Sequence, residues 1–479
     1  MDPLEPTDSD IARQLDRAYA WEHSPVSGDR ILAINELAAD YYERQLDGSW
    51  AHSHLQMRFG QNLSGDPRFR PGYAPAGWTN LVDHLRQRGV NDEEMLAAGI
   101  AKAASTGRLI DRFRDRAILP VIHERKVLGF VGRRDPDTGD DTKAGPKYFN
   151  TPDTIVFHKG AQLYGLADEQ MAHGSIPVLV EGPMDAIAVT VATAGAFLGV
   201  APLGTSLTDE QASQLAQLGI DPIVATDGDL AGRIAAERDY WLTTPRGLEP
   251  RFAQFAAGDD PASLLADSGP TPLRAVLHDA EPLATSLIDE RIANLPTPGE
   301  QLTDSAEVIA AQPAHRWREA VPTVADRVGV QPDTLRLAVA DAARRFNSDR
   351  RRFSTDNLDK TSQVRSRIEQ AATASPTDRW AKLARNLDRR LVDQLDWPAT
   401  AAMLDQIQEG GHDVATITRE LVDSTPLGVS PAEDLRYRLV GYLPDAGGPP
   451  RADSRQRGAA VQRRNPASPA RRPDVGPRR

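Results

Sequence analysis

The chain has 479 residues, 40% hydrophobic and 26% charged, with a formal net charge of −12; at roughly 100–200 residues per domain this is a multidomain globular protein. No run of 18 apolar residues occurs, which excludes a membrane-spanning helix. The absence of cysteine excludes disulfide frameworks, thiolate zinc sites, iron–sulfur clusters and cysteine nucleophiles, so any metal must be held by oxygens or histidines.

Residues 1–30 read as a polar lead-in with one short amphipathic piece around Ile11–Trp21. They lack the basic start and apolar stretch of a secretory signal, which makes the cytoplasm the expected compartment. Ile31, Ile34, Leu37, Ala38 and Tyr41 recur at helical spacing and predict an amphipathic helix over 31–46. After a Gly/Pro-rich stretch at 65–77, Leu81–Leu96 reads as another helix, and the apolar runs Ala117–Val121 and Lys126–Val131 as a β-hairpin. The region 31–170 is thus a mixed α+β subdomain. It is locally basic, with nine Lys or Arg against three acids between Lys102 and Arg134, a net +6.

Ile176–Val180 is a compact apolar run followed by a helical pattern, and Pro222–Thr226 repeats that arrangement. Strand, helix, strand, helix predicts a parallel sheet over 174–275. Helical periodicity fills 276–346, a charged and apolar-poor stretch at 347–372 reads as a linker, and 373–445 forms a second helical block. The last segment, 446–479, has no periodicity and is expected to be disordered; Pro449–Arg479 holds nine Arg and two Asp, a net +7.

Carboxylates sit where the two apolar strands end: Val180-Glu181-Gly182-Pro183-Met184-Asp185 after the first, Asp227-Gly228-Asp229-Leu230-Ala231-Gly232 after the second. In an open parallel sheet such side chains converge on one crevice. Crowded carboxylates repel one another and raise at least one pKa unless a cation lies between them, and an all-oxygen ligand set suits Mg²⁺ or Mn²⁺. Gly182 and Gly228 are expected to allow close approach of backbone to phosphate, and Asp229 is placed to cap the following helix. Either motif alone is more often a turn or a cap than a site.

Together, Glu181-Gly182-x-x-Asp185 and Asp227-Gly228-Asp229-x-Ala231-Gly232 resemble the Toprim fold of DnaG-type primases, topoisomerases and some nucleases. Asp111-Arg112-Phe113-Arg114-Asp115-Arg116, Leu128-Gly129-Phe130-Val131-Gly132-Arg133, Pro146-Lys147-Tyr148-Phe149-Asn150-Thr151-Pro152, Phe157-His158-Lys159-Gly160 and Gly204-Thr205-Ser206-Leu207-Thr208 are similar to motifs of the bacterial DnaG-type DNA primase core. The resemblance runs from about Ile31 to Arg345. It implies an α/β Toprim domain with a central parallel sheet, preceded by a mixed α+β basic subdomain and followed by helical regions.

The activity implied is that of a DNA-directed RNA polymerase of primase type, joining NTPs into short RNA primers on a single-stranded DNA template with Mg²⁺ or Mn²⁺. The resemblance makes Glu181 the acid–base group or metal organiser, Asp227 and Asp229 metal ligands, Asp185 a supporting catalytic carboxylate and Asp260, in the third acidic motif, a further metal ligand. There the chain has Asp260-Pro261-Ala262 where the family has Asp-Pro-Asp, so one ligand is expected to be missing or replaced. Arg133, Lys147 and Lys159 fall on motifs that line the template or nucleotide groove. Arg112 and Arg114 lie in the basic strip as further phosphate contacts, with simple ion pairs to Asp111 and Asp115 as the alternative.

No zinc module and no zinc are expected, since the cysteines are absent. No Gly-x-x-x-x-Gly-Lys-Ser/Thr occurs, so a helicase, or a mobile-element replication protein, is the expected partner rather than a fused domain. The C-terminal helical block has a weak resemblance to segments of actinobacterial mobilisation proteins. His52-x-His54 reads as exposed polar residues rather than a metal site. Two rival readings stay open: a Toprim nuclease and a noncatalytic single-stranded-DNA-binding adaptor. A topoisomerase would need a tyrosine nucleophile on a DNA-gating module, for which no segment is recognisable.

Overall fold

Caps and apolar stripes set the first elements. A computed structural model describes residues 8–138, 145–166, 174–256, 258–295, 297–373, 375–394, 396–410 and 412–443. Ser27 caps helix Gly28–Arg44 by accepting the Arg30 N–H, and Ile31, Ile34, Ala38 and Tyr41 form its buried face as expected. Asn35, on the same face and fully buried, donates to the Val127 and Leu128 carbonyls at 3.1 and 2.9 Å. That pins the helix to strand Lys126–Arg134, which pairs with Arg116–His123 in the expected hairpin. Glu124 and Arg125 turn it, both at positive φ as a two-residue I′ turn demands. Gly72–Ala74 and Tyr148–Asn150 flank the hairpin to give a four-stranded antiparallel sheet.

Two expectations for this region change. The helix read over 81–96 is two helices, Asn80–Arg86 and Asp92–Ala97. Gly89, at φ +77°, ends the first, and a capping box between Asn91 and Glu94 starts the second. The lead-in contains helix Asp8–His23, longer than the amphipathic piece expected, with Ile11, Leu15, Tyr19 and Trp21 exposed and Arg17 paired with Glu210.

The second sheet has six strands in the spatial order Glu281–Pro282, Arg251–Phe252, Ile223–Val224, Ile176–Leu179, Phe197–Pro202 and Leu163–Tyr164. The middle four run parallel and the two edge strands antiparallel. Strand Ile176–Leu179 therefore has the next strand in sequence on one side and the one after it on the other, a topological switch point whose carboxyl end opens a crevice. Helix Pro183–Ala192 is buried along nearly its whole length, as its apolar composition dictates, and its Ile187 and Val189 belong to the same core as Val178 and Ile223.

The chain folds as two compact units, Met1–Arg365 and Ser366–Arg479. In the first, helices Leu283–Asn294, Pro298–Ala311, Ala314–Val328 and Pro332–Ser348 build a core with Tyr240 and Trp241. The stretch 347–372, expected as a linker, contains the boundary between the two units and is helical, Arg350–Thr373. Its buried stripe is Phe353, Ser354, Asn357 and Thr361, at helical spacing but mostly polar, and Ser354 Oγ donates to the Trp241 carbonyl at 2.6 Å. In the second unit, helices Pro376–Leu387, Trp397–Glu409, Val414–Ser424 and Pro431–Leu439 enclose Leu391, Trp397, Leu404, Ile407 and Leu435, the helical block expected there. The segment 446–479 expected to be disordered lies outside the described residues.

Candidate active site

Pairing between neighbouring parallel strands brings the first two acidic motifs together. Ile223 and Val224 stand opposite Val178 and Leu179, and the Ala225 N–H continues the ladder to the Leu179 carbonyl at 2.8 Å. Two residues further on, the Asp227 N–H donates to Glu181 Oε1 at 3.2 Å, closing a 46-residue separation. The Gly228 N–H donates to the Asp259 carbonyl at 3.0 Å, which draws in the third acidic loop. A Cβ on Gly228 would lie 1.9 Å from the Ala256 carbonyl oxygen. This glycine is thus required by the approach of one loop to another, whereas the sequence reading assigned it to a phosphate. Gly182, by contrast, has room for a Cβ, its nearest neighbours being Asp185 Oδ2 at 3.6 Å and the Tyr148 hydroxyl at 3.9 Å.

The five acids differ in what they have left to offer. Glu181 and Asp229 are exposed; Asp185, Asp227 and Asp260 are half-buried. Asp229 Oδ1 caps its helix by accepting the Gly232 N–H at 2.8 Å. Asp260 also caps a helix, Pro261–Ser268, in a reciprocal box with Ser263. Its Oδ1 lies 3.4 Å from Arg58 Nη2. Burial pushes the Asp227 carboxyl up to about 6, helped by the charges of Glu181, Asp260 and Asp229 and offset by Lys147. Burial likewise pushes Asp185 up to about 7, with Asp260 and Asp227 adding and the Ala262 N–H and Arg58 opposing. Ala262, the departure noted in the third motif, is fully buried, and its N–H donates to Asp185 Oδ1 at 3.3 Å.

Mutual repulsion of this kind is what a divalent cation relieves, and the donors are oxygens throughout, so the residues fit such an ion chemically. Among the described residues, no three or more acidic or histidine side chains stand close enough together to hold a metal ion as they are placed.

A cationic wall faces these acids. Arg133 donates to the Tyr148 hydroxyl at 2.6 Å with its guanidinium 5.5 Å from the ring centroid, and Lys147 Nζ is 5.7 Å from the same ring. Arg58, on helix Trp50–Phe59, joins them through Asp260. Sequence reasoning missed Arg58; its only signal was a place one helical turn after His54. His54 is half-buried, contrary to the exposed reading, and its Nε2 is fully buried. Burial and the charges of Arg133 and Arg58 push its imidazole down to about 4. The Nε atoms of Arg58 and Arg133 and Nε2 of His54 are buried without a hydrogen-bond partner.

The remaining expected cations are placed differently. Arg112 donates to the Asn150 carbonyl at 3.1 and 3.2 Å and lies over Phe149, and Arg114 donates to the Asp111 carbonyl at 2.7 Å and lies 4.4 Å over exposed Trp78. Neither forms the carboxylate pair considered in the sequence. Asp111 instead accepts the Leu81 and Val82 N–H groups, and Asp115 accepts from Trp50 Nε1 and the Tyr73 hydroxyl. Lys159 is exposed, and its backbone is tied to Asp153 and Gln211 rather than to the acidic crevice.

Two family descriptions match the chain: DNA primase catalytic core, N-terminal domain, over 41–170, and Toprim-like over 178–265. A DNA primase of Pseudomonas aeruginosa is 37% identical over 258 residues, 52% of this chain and 38% of that protein. The chain thus spans less than half the length of the curated relatives it matches. Among solved structures, a DNA primase domain from Pseudomonas aeruginosa is similar with a TM-score of 0.54 and 32% identity, covering 65% of this chain and 99% of that one. A DnaG primase catalytic domain bound to single-stranded DNA gives 0.53 and 28%, over 64% and 98%.

Proposed function

Since the chain belongs to the DnaG-type primase family through its catalytic core, we propose that it joins NTPs into short RNA primers on single-stranded DNA, with Mg²⁺ or Mn²⁺ at the acidic crevice. The observation that carries this reading is the convergence of Glu181 and Asp227 at the switch point of the sheet, facing Arg58, Arg133 and Lys147.

Nucleotidyl transfer brings a 3′-hydroxyl onto an α-phosphate and expels pyrophosphate. Glu181, Asp227 and Asp229 would hold the divalent cation, which would supply charge neutralisation for the triphosphate and the leaving group. Glu181, exposed and oriented by the Asp227 N–H, is the group placed to take the proton of the attacking hydroxyl. Arg58 and Arg133, whose guanidinium groups stand beside the acids, and exposed Lys147 gather the triphosphate. The Arg114–Trp78 stack gives a base of the template an aromatic and cationic platform. Asp185, half-buried and turned to the Ala262 N–H, supports the crevice from behind rather than contacting substrate. Asp260 serves through its cap and its Arg58 contact, so the alanine at position 262 leaves the third corner without a free carboxylate.

A replicative helicase or a mobile-element replication protein is the partner this reading calls for. The cytoplasm is the compartment this reading proposes, and no described helix is long and apolar enough to cross a membrane. The test is the double variant Asp227→Asn with Asp229→Asn. RNA synthesis falls about a hundredfold or more while affinity for single-stranded DNA stays close to that of the unaltered chain. Synthesis at the unaltered rate would remove these two residues from the mechanism.

A further inference from the structure

Strand Phe197–Pro202 lies parallel to Ile176–Leu179 on the side away from Ile223–Val224. Its carboxyl end therefore opens onto the crevice from the side opposite Asp227. The loop that follows is exposed at Gly204 and Thr205. The Leu203 carbonyl accepts the Asn150 side-chain amide at 2.6 Å, which holds the loop against the strand carrying Tyr148.

Among the described residues, the N–H groups of Gly204, Thr205 and Ser206 donate to no protein acceptor. Arg238, on helix Leu230–Thr243, reaches over the loop with Nη2 3.5 Å from Ser206 Oγ and has no carboxylate within ion-pair distance. The adjacent acid, Asp239, does not serve as its counter-charge. Burial, only partly offset by Arg238, pushes that carboxyl up to about 8, and the two form no ion pair. Three consecutive backbone donors, a hydroxyl and a guanidinium without a counter-ion together make the donor set that binds an anion of several oxygens.

We propose that the Gly204–Ser206 loop and Arg238 form a phosphate-binding subsite of the crevice that takes the polyphosphate of a nucleotide. This rests on the nucleotidyl-transfer reading above and adds a second cationic wall to it, across the acids from Arg58, Arg133 and Lys147. A nucleotide polyphosphate fits better than a template phosphodiester because the loop opens at the carboxyl ends of the parallel strands, beside Glu181. The template's phosphates have the basic strip between Lys102 and Arg134 to follow.

The experiment measures equilibrium binding of fluorescent ATP and, separately, of a labelled oligo(dT) to the full chain and to Arg238→Gln, Arg238→Lys and Ser206→Ala, with melting temperatures as a folding control. Arg238→Gln weakens ATP binding about tenfold, the loss of one charge-assisted hydrogen bond. Ser206→Ala weakens it less, Arg238→Lys recovers most of the loss, and oligo(dT) affinity is unchanged throughout. A loss confined to oligo(dT) assigns the phosphate to the strand and overturns the nucleotide assignment. Unchanged ATP binding in both Arg238→Gln and Ser206→Ala, or no ATP binding by the unaltered chain, overturns the subsite. An unaltered chain that binds ATP but makes no RNA counts against primer synthesis and leaves the subsite standing.

Discussion

Burial raises the pKa of several carboxylates in this protein, Asp185, Asp227 and Asp239 among them. Asp239 is 8% exposed, and burial pushes its carboxyl from the ordinary 3.8 up to about 8. A group whose pKa is higher folded than unfolded favours the fold below its unfolded value and opposes it increasingly as pH rises toward the folded one. Asp239→Asn removes that opposition. It is expected to raise the melting temperature by several degrees near pH 8, with the gain shrinking toward pH 5; an equal shift at both pH values would refute the assignment. The cations give a second test at this scale. Arg133→Ala and Lys147→Ala each weaken nucleotide or single-stranded DNA binding and lower the slope of log affinity against log salt by about 1. A slope identical to that of the unaltered chain in both would exclude phosphate contact.

Loops hold the acidic motifs in register, and one glycine shows how tightly. Gly228 donates to the Asp259 carbonyl and leaves no space for a Cβ beside Ala256. Gly228→Ala must push apart the loops carrying Asp227 and Asp260, costing about 1–3 kcal/mol and most of the synthetic activity; a variant with unaltered stability and activity would contradict this packing. The acidic motifs were readable because each follows an apolar strand and ends at a helix cap, and both strands are where the apolar runs put them. Strand Arg251–Phe252 is two residues long and gives no alternation to detect. Helix Arg350–Thr373 was hidden because Ser354, Asn357 and Thr361 fill buried positions that sequence patterns reserve for apolar side chains. Arg58 reaches the crevice from a helix more than 120 residues upstream of Glu181, and no local motif could announce it.

Among the described residues of the whole molecule, four apolar clusters fall within Met1–Arg365 and a fifth within Ser366–Arg479. The acidic crevice and all its cations are in the first. A chain ending at Thr373 is therefore expected to fold and to keep its rate of RNA synthesis within about threefold, measured beside the full chain; an unfolded or inactive product would show that the second unit is needed for the core.

The central claim is template-directed RNA synthesis at Glu181, Asp227 and Asp229. Its most direct test incubates the full chain with single-stranded DNA of defined sequence, labelled NTPs and Mg²⁺ or Mn²⁺, and resolves the products on a denaturing gel beside the Asp227→Ala/Asp229→Ala double variant. Short RNA complementary to the template, made by the unaltered chain and absent from the variant, is the predicted result. A shortened template without RNA, or RNA made equally by both proteins, would contradict it.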